Sequence, residues 1–558
     1  MAAVPQDTSF RPTWQLKSIF AVVGLLNFVA ALDATSVSVS LPTISNDLGG
    51  TATEAFWTGT SFLVASCVFQ PVFSLSSDIF GRKAVLLAAV VSFTLGSILS
   101  AVSQNFALLL TGRSIQGIGG GGIMALTEIL IADLIPLRER GKWMSIRSGT
   151  WALGTVVGPL IGGGFTQSSA GWRWIFWINL PFCGLGLILI PIFLKLHHDK
   201  VSLRDKLATV DYLGSVLFVA SLTAFLIPLT WGGVMYAWSS WHTLLPLILG
   251  AAGLLAFAAY ECLVPSRPLI PPVIFNNRTV SLNLLGSFLH GVILWALVYY
   301  LPLYYEGVLG FSPVMSGVAV FPETFTVAPI SVITGIVAAK VGRYRWALWA
   351  GWPLSSLGLG LLYLLDANTP TAKWVCLNLV AGIGLGMLYP TVMLAVQVAA
   401  DPAYQSITVT MTTFFRVLGQ AVGVAIGGVV FQNRIKHNFN NHPSLGRSAD
   451  QYASDASSLV EYIKALASDS PQRHLIESLY ADSLSIVWIV MCTVAALGFL
   501  TSLFSKSYSM NRNFSSSQGL RAGSQASDEE STSSTEDFKG LIGITEADMN
   551  VRQHLHPR

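Results

Sequence analysis

Charge is what this sequence has least of. Only 11% of its 558 residues are Asp, Glu, Lys or Arg, against roughly 25% in soluble domains, and this scarcity excludes a chain whose whole surface meets water. Acids and bases nearly cancel, at +3, so nothing in the net charge points to nucleic acid. Five cysteines (Cys67, Cys183, Cys262, Cys376 and Cys492) are scattered without disulfide-framework or metal-ligand spacing, so neither a metal nor another cofactor is expected. No GxxxxGK[ST] stretch exists, because Gly141-Lys142 runs into Trp143, and ATP-driven work would need a partner chain. One GxGxxG match, Gly117 to Gly122, sits inside an apolar run with no strand before it. That context excludes a dinucleotide site. No paired His/carboxylate cluster stands near a membrane face, so an enzyme is not expected either.

Apolar residues are what the chain has in excess, at 52%. They fall into blocks of about 20, the length that crosses ~30 Å of hydrocarbon as a helix. Fourteen blocks are legible, at about 18–41, 57–76, 84–103, 106–132, 143–166, 174–195, 211–230, 243–262, 280–302, 315–338, 346–365, 374–399, 405–431 and 482–504. The expected fold is an all-α polytopic membrane protein. The first block is too long for a signal-peptide core and is expected to stay as an anchor.

Basic residues test the count. With residues 1–17 as a cytosolic tail, inner loops receive Arg82 and Lys83, then Arg138, Arg140 and Lys142, then Lys195, Lys200, Arg204 and Lys206. Further on they receive Arg267 and Arg278, then Lys340, Arg343 and Arg345, while the short outer loops receive only Arg173 and Lys373. Both termini are therefore expected in the cytosol, with a long outer loop near 432–481. From 505 to 558 the chain turns Ser-, Asp- and Glu-rich, and a disordered cytosolic tail is expected, with Ser527 and Ser534 as candidate phosphorylation sites. The sequons Asn277-Arg-Thr and Asn513-Phe-Ser fall on the inner side and read as chance matches.

The chain also repeats itself. Leu41-Pro42 returns as Leu301-Pro302 at an offset of 260, and Gly81-Arg82 as Gly342-Arg343 at 261. Gly117, Gly119 and Gly121 return as Gly382, Gly384 and Gly386, and Gly154, Gly158, Gly162 and Gly163 as Gly419, Gly423, Gly427 and Gly428, both at 265. Matches in the same order with so little drift imply two parallel six-helix halves, 18–195 and 280–504, with 196–279 carrying two extra helices. Two such halves rocking about a central site give alternating access.

Some residues stand out against this background. Gly154, Gly158 and Gly162 recur every four residues, which makes a smooth ridge for close helix approach, and Pro159 within it removes a backbone donor. Charges inside hydrocarbon are costly and point to function. Asp33, Arg113 and Glu323 each lie ~10–12 Å from the outer surface at 1.5 Å per residue. One polar cavity is expected to hold them, with Ser36 and Ser40 on the Asp33 face of the first helix; a structural Asp33–Arg113 ion pair is the competing reading. Asp33 and Glu323 are the proton-carrying candidates. Arg113 has no counterpart in the second half, where offset 265 lands on Asn378. Arg416 reads as either functional or structural, and His290 as a further proton-handling candidate. Trp151, Tyr299, Tyr300, Tyr304 and Tyr305 either line a pocket for a flat apolar compound or anchor the helices at the interface.

These motifs resemble the major facilitator superfamily, and within it the fourteen-span drug:proton antiporters in their fungal form, over about residues 18–504. Leu32-Asp33-x-Thr35 through Leu41-Pro42 resembles the first-span signature. Asp78-x-x-Gly81-Arg82-Lys83 resembles the loop motif after the second span, although Ser74 stands where that motif usually has glycine. Arg113-x-x-Gln116-Gly117 resembles the fourth-span motif, whose arginine the family implicates in proton handling. Gly154 to Gly163 with Gly158-Pro159 resembles the antiporter motif of the fifth span, associated with export. The resemblance implies a monomeric pump in the plasma membrane that exports a small, mostly apolar compound in exchange for protons. In the loop motif, Asp78 is expected to hold a neighbouring helix N-terminus through its dipole, and Arg82 to pair with Asp133, which together would latch the cytoplasmic side. A proton-coupled siderophore or amino-acid transporter on the same fold, and a nontransporting receptor, stay open as alternatives.

Overall fold

A backbone in hydrocarbon must satisfy its own hydrogen bonds, and a chain without pairing strands can do so only as helix. The computed structural model describes residues 12–49, 52–196, 202–232, 235–265, 267–442, 456–467 and 470–510, and among them there are helices and no strands. Residues 1–11, the Asn513 sequon, Ser527, Ser534 and most of the expected C-terminal tail lie outside the described residues. Fourteen long helices follow one another. They are α1 (Trp14–Leu48), α2 (Ala52–Phe80), α3 (Arg82–Ala101), α4 (Phe106–Leu134) and α5 (Leu137–Gln167), then α6 (Trp174–Phe193), bent at Ile178. After these come α7 (Tyr212–Trp231), α8 (Trp241–Leu263), α9 (Arg278–Gly307), α10 (Phe321–Val341) and α11 (Arg345–Leu361). The last three are α12 (Thr371–Ala399), α13 (Gln405–Asn440) and α14 (Pro471–Leu503).

By length and apolarity alone, 13 of the described helices qualify as membrane spans. The one left out is α5, where Arg138, Arg140, Lys142, Arg147 and a run of glycines dilute the hydropathy. It nonetheless packs along the full bundle, against α1 on one side and α10 on the other. Helix ends carry local signals. Thr13 and Asn105 cap α1 and α4 by accepting from the Leu16 and Leu108 amides. Gly342 closes α10 at φ 69°, and Gly81 opens α3 at φ 95°, backbone angles that favour glycine.

The repeat is visible in the packing. α1 packs on α5 as α9 packs on α13; α3 and α2 pack on α4 as α11 and α10 pack on α12. The halves meet through α2 against α13 and through α5 against α10, and these two contacts exchange under the same repeat. The two inserted helices pair with each other, and α7 leans on α2 and α13. We call inner the face where α1 begins and α14 ends. Beyond the apolar stretches, the described part of 432–481 is largely helical: α13 continues to Asn440, a short helix spans Ala456–Ala465, and α14 already starts at Pro471. Packing explains the difference, because Leu459, Val460 and Ile463 join the core of the second half and Lys464 pairs with Glu306 at 2.9 Å.

Candidate functional site

Asp33 and Arg113 meet. The Arg113 Nη1 lies 2.5 Å from Asp33 Oδ2, and both side chains are fully buried. The other Asp33 oxygen accepts from Gln116 Nε2 and from Asn179 Nδ2, each at 2.8 Å. Gln116 also donates to Ser97 Oγ at 2.8 Å, and Arg113 Nε donates to the Thr58 carbonyl at 2.9 Å. The Phe62 ring covers the guanidinium at 4.6 Å from its centroid. Elements α1, α2, α3, α4 and α6 all contribute, so the cluster lies in the interior of the first half. Sequence reasoning missed Asn179, Ser97 and Thr58, and no periodicity or motif marks them.

Ser36 and Ser40 turn elsewhere. Ser36 donates back to the Leu32 carbonyl at 2.5 Å, while Ser40 bonds Thr166 Oγ1 on α5 at 2.7 Å. Both therefore belong to the seam between α1 and α5. That seam is where the glycines lie. A Cβ on Gly154 would stand 2.5 Å from the Phe28 carbonyl oxygen and one on Gly158 2.8 Å from that of Leu32, while one on Gly162 would collide with the Ser36 carbonyl. Gly163 and Pro159 are half-buried beside them. In the second half Gly419 and Gly423 meet the Phe288 and Val292 carbonyls in the same way.

Glu323 is not part of the Asp33 cluster. It sits on α10, fully buried, with no hydrogen-bond partner for either carboxylate oxygen. Gly117 packs against the Phe62 backbone and its repeat mate Gly382 against that of Glu323, so Glu323 occupies the place that Phe62 holds in the first half. Asn378, the mate of Arg113, bonds the Tyr305 hydroxyl. The mate of Asp33 is Ile293. One half thus keeps a paired charge where the other keeps a single acid.

At the inner ends, Arg82 bridges Asp78 at 2.5 Å and Asp133 at 2.8 Å, and Lys83 donates to the Pro191 carbonyl at 3.0 Å. Asp78 also accepts from Ser406 Oγ with its two oxygens at 2.9 and 3.0 Å. Ser406 is in the first turn of α13, so this bond joins the halves at a helix N-terminus. On the other side of the bundle Ser145 of α5 donates to the Ser331 carbonyl of α10 at 2.8 Å. Ser74 is buried with its hydroxyl unpartnered.

Sequence reasoning also passed over Glu128 and Arg147, which form a buried pair at 2.5 Å between α4 and α5. A signal was there, an acid within the apolar run of α4. An apolar cavity of about 170 Å³ opens in the outer half between α2, α7, α9 and α13, lined by Cys67, Leu229, Trp295, Tyr299, Tyr300 and Val417 among others. Tyr304 and Tyr305 are packed into the core of the second half, and Trp151 is half-buried against neighbouring core residues. Among the described residues no group of three His, Cys, Asp or Glu side chains is placed to hold a metal ion.

Comparison with known proteins adds four findings. The family model described as Major Facilitator Superfamily matches residues 23–424. "MFS transporter L2" of Phoma sp. is 49% identical over 94% of this chain and 88% of its own length. "Efflux pump FUS6" of Gibberella moniliformis is 35% identical over 93% of both chains. Among solved structures, the proton:xylose symporter XylE superposes with a TM-score of 0.53 at 15% identity, over 90% of this chain and 98% of its own. That likeness speaks for the fold alone.

Proposed function

The chain belongs to the Major Facilitator Superfamily, and from that premise we propose that it is a secondary active transporter exporting a small, mostly apolar organic compound in exchange for protons. Efflux is the activity in the name of one relative, "Efflux pump FUS6" of Gibberella moniliformis. The observation that carries the proton coupling is the buried Asp33–Arg113 pair. Protonating Asp33 removes half of that pair, and Asp33 sits on α1, the helix that packs on the glycine seam of α5. A proton arriving from outside thus acts on the element that connects the interior of the first half to the interface between halves. Compound release and proton uptake would share the outward-facing state, in which the Asp78–Ser406 and Ser145–Ser331 contacts close the inner side.

Orientation belongs to the same proposal: the basic inner loops face the cytosol, and the protein is a multi-pass component of the plasma membrane acting as a monomer without ATP. The experiment is uptake into inside-out vesicles, acidified within, of metabolites that accumulate in cells lacking the protein. Gradient-dependent uptake that collapses with a protonophore is the expected result. Uptake that ignores the gradient would sink proton exchange, and uptake only in right-side-out vesicles would favour an importer of siderophores or amino acids. A reporter fused after Phe504 should read as cytosolic.

A further inference from the structure

A second set of charges lies deeper than Asp33, and neither the proton-handling cluster nor the inner latch uses it. Arg147 Nη2 pairs with Glu128 Oε1 at 2.5 Å in the first half. Across the interface, Arg416 of α13 covers the Tyr389 ring of α12 at 4.0 Å from its centroid and donates to the Tyr389 carbonyl at 3.2 Å. His290 of α9 meets the same ring edge-on at 5.8 Å. Tyr389 is also within electrostatic reach of Arg147. Half-buried itself, it carries Arg416 of the second half on its ring, with Arg147 of the first half in electrostatic range. Measured from the inner ends of their helices, these five residues lie about 9–18 Å deep at 1.5 Å per residue. Four of them lie about half-way across ~30 Å of hydrocarbon, and Glu128 lies nearer the inner side.

The charges there do not balance. There are two arginines and one carboxylate, Glu128, which pairs with Arg147, and Arg416 has no acidic partner among the described residues. Arg147 Nη1, Arg416 Nε and His290 Nδ1 are buried without a hydrogen-bond partner. A buried cation without a counter-charge is costly in a membrane, and such residues mark substrate or ion pathways. Packing symmetry does not explain them: at offset 265, Arg416 corresponds to Trp151 and Arg147 to Thr412. What would satisfy the site is an anion. A planar, two-oxygen acid matches the forked geometry of a guanidinium.

We infer that Arg147 and Arg416, with Tyr389 beside them, recognise the acidic group of the transported compound, which is thus an amphipathic organic acid. This rests on the export reading and narrows its substrate to a carboxylate or a similarly delocalised organic anion with an apolar body. The apolar cavity between α2, α7, α9 and α13 lies on the outer side of this site, with Val417, one residue beyond Arg416, in its lining, and the apolar body would extend toward it. Because each half supplies one arginine, an anion held by both is a tie between the halves that is lost when they part.

The test is equilibrium binding of 1-pyrenebutyrate and its uncharged methyl ester to the full chain in lipid nanodiscs, without any pH gradient, with empty nanodiscs subtracted. The wild-type protein should prefer the anion by about tenfold or more, which is ~1.4 kcal/mol. Arg416→Gln should abolish that preference while ester binding persists, and Arg416→Lys should keep part of it, since the charge survives and the fork does not. Equal binding of acid and ester by the wild-type protein overturns the inference whether or not the variants fold. So does an undiminished preference in a folded Arg416→Gln. Stabilisation by chloride with no preference for the pyrene acid would assign the site to an inorganic ion and overturn it too. Vesicle flux separates the two readings: anion preference without gradient-driven export would leave the site standing and remove the pump.

Discussion

Asp33 accepts three hydrogen bonds, from Arg113, Gln116 and Asn179, so its carboxylate ties three helices together. Losing the charge therefore disturbs the whole interior of the first half. Asp33→Asn leaves Arg113 buried and unpaired, and breaking a buried pair in this way costs about 3–5 kcal/mol. Arg113→Ala should cost a similar amount for the reciprocal reason. The double variant leaves no isolated charge, so its thermal midpoint in detergent should exceed that of either single variant. A double variant that melts no higher than the singles would show that the pair does not act as a pair. All three should lose gradient-driven flux. Full flux in Asp33→Asn would remove Asp33 from the coupling and move attention to Glu323, whose two buried oxygens have no partner.

At the scale of the helix, the seam between α1 and α5 depends on bare backbone. Gly158 packs against the Leu32 carbonyl and Thr35, so a side chain there must push the helices apart. Gly158→Leu should reduce flux at least about tenfold, equivalent to ~1.4 kcal/mol of barrier, with membrane abundance measured alongside. Gly423→Leu at the equivalent seam of α9 and α13 should behave alike, because Gly423 meets the Val292 backbone in the same way. Normal flux in both would mean that neither seam moves during transport.

For the molecule as a whole, the inner seal decides which side is open. Gly335 of α10 lies against Gly141 of α5, where an added Cβ would stand 2.5 Å from the Gly141 carbonyl oxygen. Gly335→Leu should wedge the halves apart there and shift the population toward the inward-open state. A cysteine placed at Thr410, now fully buried, should then react faster with an impermeant maleimide in inside-out vesicles. Asp78→Asn should act in the same direction but more weakly, since Ser406 can still bond the remaining carbonyl oxygen. Unchanged labelling in both variants would argue that these contacts are not the seal.

Much of the architecture was open to the sequence alone, because a bilayer admits few solutions. Apolar length set where helices cross, basic loops set a consistent alternation, and glycine offsets set the repeat that the packing of α1 on α5 and α9 on α13 displays. The Arg82–Asp133 contact was legible as well, because its acid and base sit at the ends of neighbouring helices. Tertiary structure alone decided which charges meet. Equal depth placed Asp33, Arg113 and Glu323 together, but depth says nothing about rotation around the bundle axis, and Glu323 belongs to the other half. Asn179 and Ser97 complete the Asp33 cluster from helices that bear no motif. The Arg147–Tyr389–Arg416 arrangement spans two halves separated by more than two hundred residues. A helix fixes the spacing of its own side chains; only the packing of one helix against another determines which of them share a site.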